Sequence, residues 1–172
     1  MSRIYVASSW RNARQPFVIE LLRGAGHEVY DFRNPAPGSK GFGWSQLGLG
    51  EWRDYTPEVA REALQHPIAQ AGFKSDHDAM EWADTFVMVL PCGRSAHLEL
   101  GWACGAGKRT FILQTEQQEP ELMYLEADRI CLSVEELLTC LAADVRSIDR
   151  SDIVPLKNGR SIDLGGRWSL PT

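Results

Sequence analysis

Runs of apolar residues bounded by turn formers mark out the elements of this chain. Arg3 to Ala7 is a short apolar run that stops at Ser8 and Ser9, which predicts a buried first strand. Phe17, Ile19, Leu21 and Leu22 recur at helical spacing over 13–24, with Gly24 and Gly26 as stop signals. Residues 28–32 predict a second strand. The opening is therefore strand, helix, strand, the start of a parallel α/β sheet. Thr56-Pro57 starts a helix to about residue 65, interrupted at Pro67, and 73–83 predicts a second helical piece. Residues 85–90 are the clearest strand. A turn at 91–95, a helix over 95–106 and strands at 109–113 and 129–132 follow. Ser133 and Glu136 form a capping box that opens a last helix to about 146.

The sum is a doubly wound five-stranded parallel sheet, flavodoxin- or Rossmann-like, over residues 1–146. Residues 147–172 form a short C-terminal extension. In it, Asn158-Gly159 between apolar segments predicts a small hairpin, either a subunit-contact arm or a loose tail. In such sheets ligands bind at the carboxyl edge, where the strand order reverses. The turns at 8–12 and 91–95 are placed there. Residues 33–55 interrupt the pattern with glycines, prolines and the aromatics Phe42, Trp44, Trp52 and Tyr55. A loop of that length is usually functional or disordered, and its aromatics argue against plain disorder.

At 172 residues the chain suffices for one core without staples, and its net charge of −5 argues against a bulk electrostatic contact with a nucleic-acid polymer. The N-terminus lacks a signal-peptide core and no apolar run is long enough to span a membrane, so a cytoplasmic protein is expected. Cys92, Cys104, Cys131 and Cys140 include no C-x-x-C pair, and the four histidines are scattered. They read as small buried hydrophobes in a reducing compartment, with no metal site and no cofactor expected.

Between Leu98 and Gly107 the only charge is Glu99, with apolar residues around it, so no face of that helix reads as solvent-facing. A carboxylate there is expected to be partly buried, at a cost that hydrogen bonds or function must offset. Its alternatives are a helix-dipole acid or a capping partner of Ser95. Upstream, Asp76 could cap a helix or act chemically, and Asp84 could end a helix or fix a turn.

Three blocks, residues 4–11, 76–89 and 93–108, resemble the nucleoside 2-deoxyribosyltransferase superfamily. The third, with Glu99-Leu-Gly-x-Ala and Gly107-Lys108, is the most specific. The resemblance implies Glu99 as the nucleophile at the anomeric carbon, Asp76 as the group handling the nucleobase proton, and Tyr5 beside the nucleophile. It also implies a nucleoside or nucleotide as small-molecule partner and a homodimer or larger homo-oligomer. Nucleoside-specific members carry an acid in the turn before the nucleophile, where this chain has Gly93, Arg94 and Ser95. Arg and hydroxyls at a helix N-terminus suit a phosphate, with Ser8, Ser9 and Arg11 opposite. That is similar to the nucleoside 5′-monophosphate N-glycosidase branch. Arg94 as a surface charge and Ser95 as an N-cap is the plainer alternative.

The leading expectation is N-glycosidic cleavage through a glycosyl-Glu intermediate, with hydrolysis favoured over base exchange. An NAD-type glycohydrolase and a non-catalytic nucleotide-sensing module are the rivals. Trp44, with Phe42 and Trp52, could stack on a base, or serve as a lid or dimer contact.

Overall fold

The computed structural model describes residues 1–143. By packing, the chain divides at Leu137 and Leu138, and both the sheet and the candidate site belong wholly to Met1–Leu137. The expected hairpin and the boundary at 146 lie outside the described residues.

Five strands form one parallel sheet in the order β2-β1-β3-β4-β5. They are β1 (Arg3–Ala7), β2 (Glu28–Tyr30), β3 (Thr85–Val89), β4 (Arg109–Leu113) and β5 (Arg129–Cys131). The order reverses between β1 and β3, the switch point at which doubly wound sheets hold ligands. The strands are short and nearly continuous in apolar character because both faces are covered. Every residue of β3 is buried, as are Ile4 to Ala7 of β1. Register pairs Tyr5 with Tyr30 on one side and with Phe86 on the other.

The helices are α1 (Gln15–Gly24), α2 (Pro57–Ala63), α3 (Pro67–Trp82), α4 (Arg94–Gly105) and α5 (Val134–Ala142). α3 and α4 cover the face that carries Tyr5, Ala7, Phe86, Met88 and Ile112, through Ala79, Met80, Ala83, Ala96, Leu100 and Ala103. α1 packs beside β2 and buries Val18, Ile19 and Leu22. As expected, Thr56 caps α2, accepting from Val59 N at 3.3 Å. Ser133 Oγ likewise accepts from Glu136 N at 3.1 Å. The Glu136 carboxylate reaches back one residue further than a standard capping box, to Leu132 N at 2.8 Å.

Three departures from the sequence reading matter. α3 begins at Pro67, six residues before the predicted helical piece, because Pro67 stands at its first position and His66 Nδ1 caps it from Ile68 N at 3.2 Å. Asp76 therefore lies inside α3 and is not its cap. Within the 33–55 loop, Trp44–Leu47 and Trp52–Asp54 are single 3-10 turns. Finally, Leu122–Glu126 forms a further 3-10 turn that the sequence pattern did not mark.

Asp84 fixes a turn rather than acting chemically. Its two carboxylate oxygens accept from Arg3 N at 3.2 Å each, and Oδ1 also accepts from Thr85 Oγ1 at 2.9 Å. The Arg3–Asp84 ion pair is about half exposed and contributes at most about 1 kcal/mol. Lys108 is structural too. Its ammonium donates to the carbonyls of Glu81 and Ala83, closing the end of α3.

The loop folds back on the turn that follows β2 through a close approach at Gly41. Its φ is +66°, and a Cβ there would sit 2.0 Å from the Phe32 carbonyl oxygen. Gly38 has φ +80° but open space around it. Gly41→Ala is expected to destabilise the protein clearly more than Gly38→Ala, whose cost of about 1 kcal/mol reflects backbone conformation alone. Denaturant titration of the two variants checks the ranking, and equal losses would contradict the packing of this loop.

Candidate functional site

The paired register of β2, β1 and β3 puts three aromatic rings on one face of the sheet. Tyr30 and Tyr5 stack with centroids 5.4 Å apart and planes 15° apart, and Tyr5 and Phe86 stack at 5.0 Å and 24°. Tyr5 is 1% exposed. The two tyrosine hydroxyls each meet a carboxyl group supplied by a helix above that face. Tyr5 faces Glu99 of α4, and each shifts the ionisation of the other. Tyr30 donates to Asp76 Oδ1 of α3 at 2.8 Å. The structure thus brings together the three residues expected to be catalytic, and adds Tyr30, which the sequence reading had seen only as part of a strand.

The electrostatics follow from burial. Desolvation is the main reason the Glu99 carboxyl is pushed up to about 7, and the Asp76 charge raises it further; the Tyr5 hydroxyl pulls the other way. Burial also raises Asp76, and the Tyr30 hydrogen bond opposes it. Both tyrosines stay neutral donors, since burial lifts their hydroxyls well above the ordinary phenol range. Cys92, in the turn before α4, is pushed up to about 12, chiefly by burial and then by Glu99, so its thiol is not a nucleophile.

Glu99 lies within α4, and Gly93 is the N-cap with no side-chain capping bond. This corrects two readings. Ser95 is not the cap, and α4 does have a solvent face: Arg94, Ser95, Leu98, Gly101 and Gly105 are exposed, Leu98 to 76%. Glu99 points the other way, toward the sheet edge. The turn is ordered by His97. Its Nδ1 lies 2.9 Å from the Gly93 carbonyl, which can only accept, so Nδ1 carries the proton. Nε2 of the neutral ring then accepts from the Tyr124 hydroxyl at 3.1 Å.

The β1–α1 and β3–α4 turns are clasped across the switch point by Asn12, which is 4% exposed. Its amide nitrogen lies 3.1 Å from both the Val89 and Pro91 carbonyls and 3.2 Å from Ser8 Oγ. Ser8 Oγ donates to the Val89 carbonyl at 2.9 Å. The proton of Ser8 is therefore already committed, and Ser8 holds the turn instead of offering a donor to a ligand. Ser9 Oγ accepts from Arg11 N at 3.2 Å. Arg33 reaches from the loop to the carbonyls of Ser9, Trp10 and Asn12, each at 2.9 Å. Asn12 and Arg33 went unnoticed in the sequence because a buried clasp leaves no periodic signal.

Arg94 is exposed at the first turn of α4. Arg11 sits over the Trp52 ring at 5.6 Å. Trp44 packs with Phe42, Tyr55, Leu47, Ala63 and Ala69 in a small cluster away from Glu99. Phe42 instead, against Gly72, borders a cavity of about 230 Å³ whose lining includes Gln46, Ser75 and Asp76. Phe42 is thus a loop aromatic that lines one cavity together with Asp76. Among the described residues no cluster of three or more His, Cys, Asp or Glu could hold a metal ion, and no helix is long and apolar enough to cross a membrane.

No protein-family model and no curated protein matches the chain. Solved structures similar to it include the following three. One is a 2-deoxyribosyltransferase from the psychrotolerant bacterium Bacillus psychrosaccharolyticus, with 20% identity and a TM-score of 0.48, over 78% of this chain and 89% of that one. A second is the CMP N-glycosidase BcmB of Clostridium botulinum, with 19% identity and a TM-score of 0.44, over 82% and 99%. The third is a conserved protein from Enterococcus faecalis, with 16% identity and a TM-score of 0.48, over 81% and 96%.

The raised Glu99 carboxyl has a consequence for stability. Between its ordinary value of 4.5 and about 7, the folded chain holds a proton that the unfolded chain has released. Stability conferred by that proton is lost as pH rises through this window, by about 3 kcal/mol. Glu99→Gln keeps the shape without the charge. It is expected to raise the unfolding midpoint well above that of the wild type at pH 8 and to leave it nearly unchanged at pH 4.5. Thermal denaturation at the two pH values checks this, and an equal effect at both would sink it.

Proposed function

We propose that the chain cleaves the N-glycosidic bond of a nucleoside or nucleoside 5′-monophosphate, with hydrolysis as the completing step. The observation that carries this reading is the carboxylate pair at the switch point. Glu99 is pushed up to about 7, faced by Tyr5 and coupled to the second carboxyl, Asp76. The resemblance of the three sequence blocks supports the same roles.

In the proposed cycle the Glu99 carboxylate attacks the anomeric carbon as the bond to the base nitrogen breaks. That electron pair passes to the base, which takes the proton of Asp76 and leaves. A glycosyl ester on Glu99 remains. Water then attacks the same carbon, Asp76 accepts its proton, and Glu99 is released as carboxylate. Tyr5 faces Glu99 and favours its anionic form, which opposes the desolvation that would keep it protonated. A 5′-phosphate would lie at the N-terminus of α4, with Arg94, Ser95 and the backbone at Gly93 as its partners and Ser9 and Arg11 opposite. Ser8 serves by holding the turn. Phe42 and Gln46, which line the cavity beside Asp76, are better placed than Trp44 for the base.

The working form of the pair holds one proton between two carboxyl groups. Above about 7 that proton is lost, so kcat/KM is expected to fall on the alkaline side with an apparent pKa near 7. A panel of nucleosides, their 5′-monophosphates and NAD, followed by chromatography for released base, tests the reading. Glu99→Ala is expected to lower base release at least about 100-fold. Release by Glu99→Ala at the wild-type rate would overturn it. Addition of a second base separates hydrolysis from exchange, and a preference for monophosphates that Arg94→Ala removes would support the phosphate subsite.

A further inference from the structure

The cycle above rests on Asp76 delivering a proton in one direction, yet nothing in that cycle orients it. The side chain lies inside α3, and three neighbouring elements supply the groups that face it. They are Tyr30 of β2, Tyr5 of β1 and Glu99 of α4. Of its immediate neighbours along α3, Lys74 and Asp78 pair with each other at 2.6 Å, and His77 lies 3.8 Å from Glu81. Tyr30 is thus the group within hydrogen-bonding distance of Asp76, at 2.8 Å.

We propose that Tyr30 is a positioning residue for Asp76: it anchors Oδ1 and so assigns the transferable proton to Oδ2. A phenol has one proton, and Tyr30 commits it to Asp76 Oδ1, which as a carboxylate can only accept. Ser75 Oγ, 3.1 Å from the Tyr30 oxygen, must then be the donor in that contact. The chain runs from Ser75 to Tyr30 to Asp76, and each bond polarises the next. When Asp76 is protonated, its carbonyl oxygen is a better acceptor than its hydroxyl oxygen. Oδ1, already holding the Tyr30 bond, becomes the carbonyl, and the proton sits on Oδ2.

The stacking explains why a tyrosine can do this without wandering. The Tyr30 ring lies on the buried Tyr5 ring at 15°, on strand residues that are register partners. Both Tyr30 and Asp76 border the loop's cavities. Tyr30 lines the one of about 540 Å³ and Asp76 the one of about 230 Å³; Pro35 and Ser39 line both. The anchoring bond also favours the carboxylate over the acid, which keeps Asp76 a stronger acid than its burial alone would allow.

The inference rests on the glycosidic reading for what Asp76 does, but its test does not. The probe is the carbon-13 signal of the Asp76 carboxyl, assigned with Asp76→Asn and titrated in wild type and in Tyr30→Phe, which retains the ring and its stacking. The expected result is a higher titration midpoint in Tyr30→Phe, by about half a pH unit or more. Ser75→Ala is expected to move it the same way by less, and it serves if Tyr30→Phe does not fold. On a substrate that the panel identifies, the acidic limb of kcat/KM moves up with that midpoint, and kcat drops several-fold while KM holds. An unchanged Asp76 midpoint in both variants overturns the proposal. A shifted midpoint with no base release by the wild type leaves the Tyr30 anchor standing and overturns the glycosidic reading instead.

Discussion

Two carboxyl groups drawn out of water into one small space are the constraint that organises this molecule. The charge of Asp76 raises the cost of ionising Glu99, and desolvation raises both. A fold does not gather such groups without compensation. Here the compensation is a pair of phenol donors delivered by the sheet. Tyr5 faces Glu99 and Tyr30 bonds Asp76, and because the two tyrosines are register partners on adjacent strands, the spacing of the sheet sets where the two donors stand. The aromatic row is the base on which the acid pair is built, and it continues into Phe86 at the centre of the sheet.

The rest of the edge is arranged to keep that geometry still. Asn12 and Ser8 tie the two turns that flank the switch point, Arg33 ties the loop to the first of them, and His97 orders the second through Gly93 and Tyr124. These are mostly neutral or backbone-directed bonds. They add order without adding charge near the carboxyl pair. Exposed ion pairs, such as Arg3–Asp84, contribute little. The positive charge of Arg94 stays outside, at the open end of α4.

Much of the framework was legible beforehand. β1 and β4 were read to the residue, because fully buried parallel strands are continuous apolar runs that polar or glycine residues interrupt sharply. Thr56 with Pro57 and Ser133 with Glu136 declared their helix starts through local hydrogen bonds, which need no tertiary context. The start of α3 was misplaced because residues 67–72 are of mixed character and gain their helical form from packing, with Gly72 pressed against Phe42. Leu98 was misjudged for a related reason. An apolar side chain on a helix signals burial only on average, and this one faces water.

By itself, the sequence determined the order of elements, the parallel sheet and the isolated carboxylate of Glu99, since each follows from local periodicity or from one charge in an apolar run. Only the tertiary structure decided what that carboxylate meets. Tyr5, Tyr30, Asp76 and Glu99 come from four different elements up to 94 positions apart. Strand register and the placement of α3 and α4 over one face bring them together. Chain-local patterns do not encode such distances. For the same reason Ser8 passed from a ligand donor to a turn staple, Trp44 moved into a cluster of its own, and Asn12 and Arg33 became visible only once the turns they clasp stood side by side.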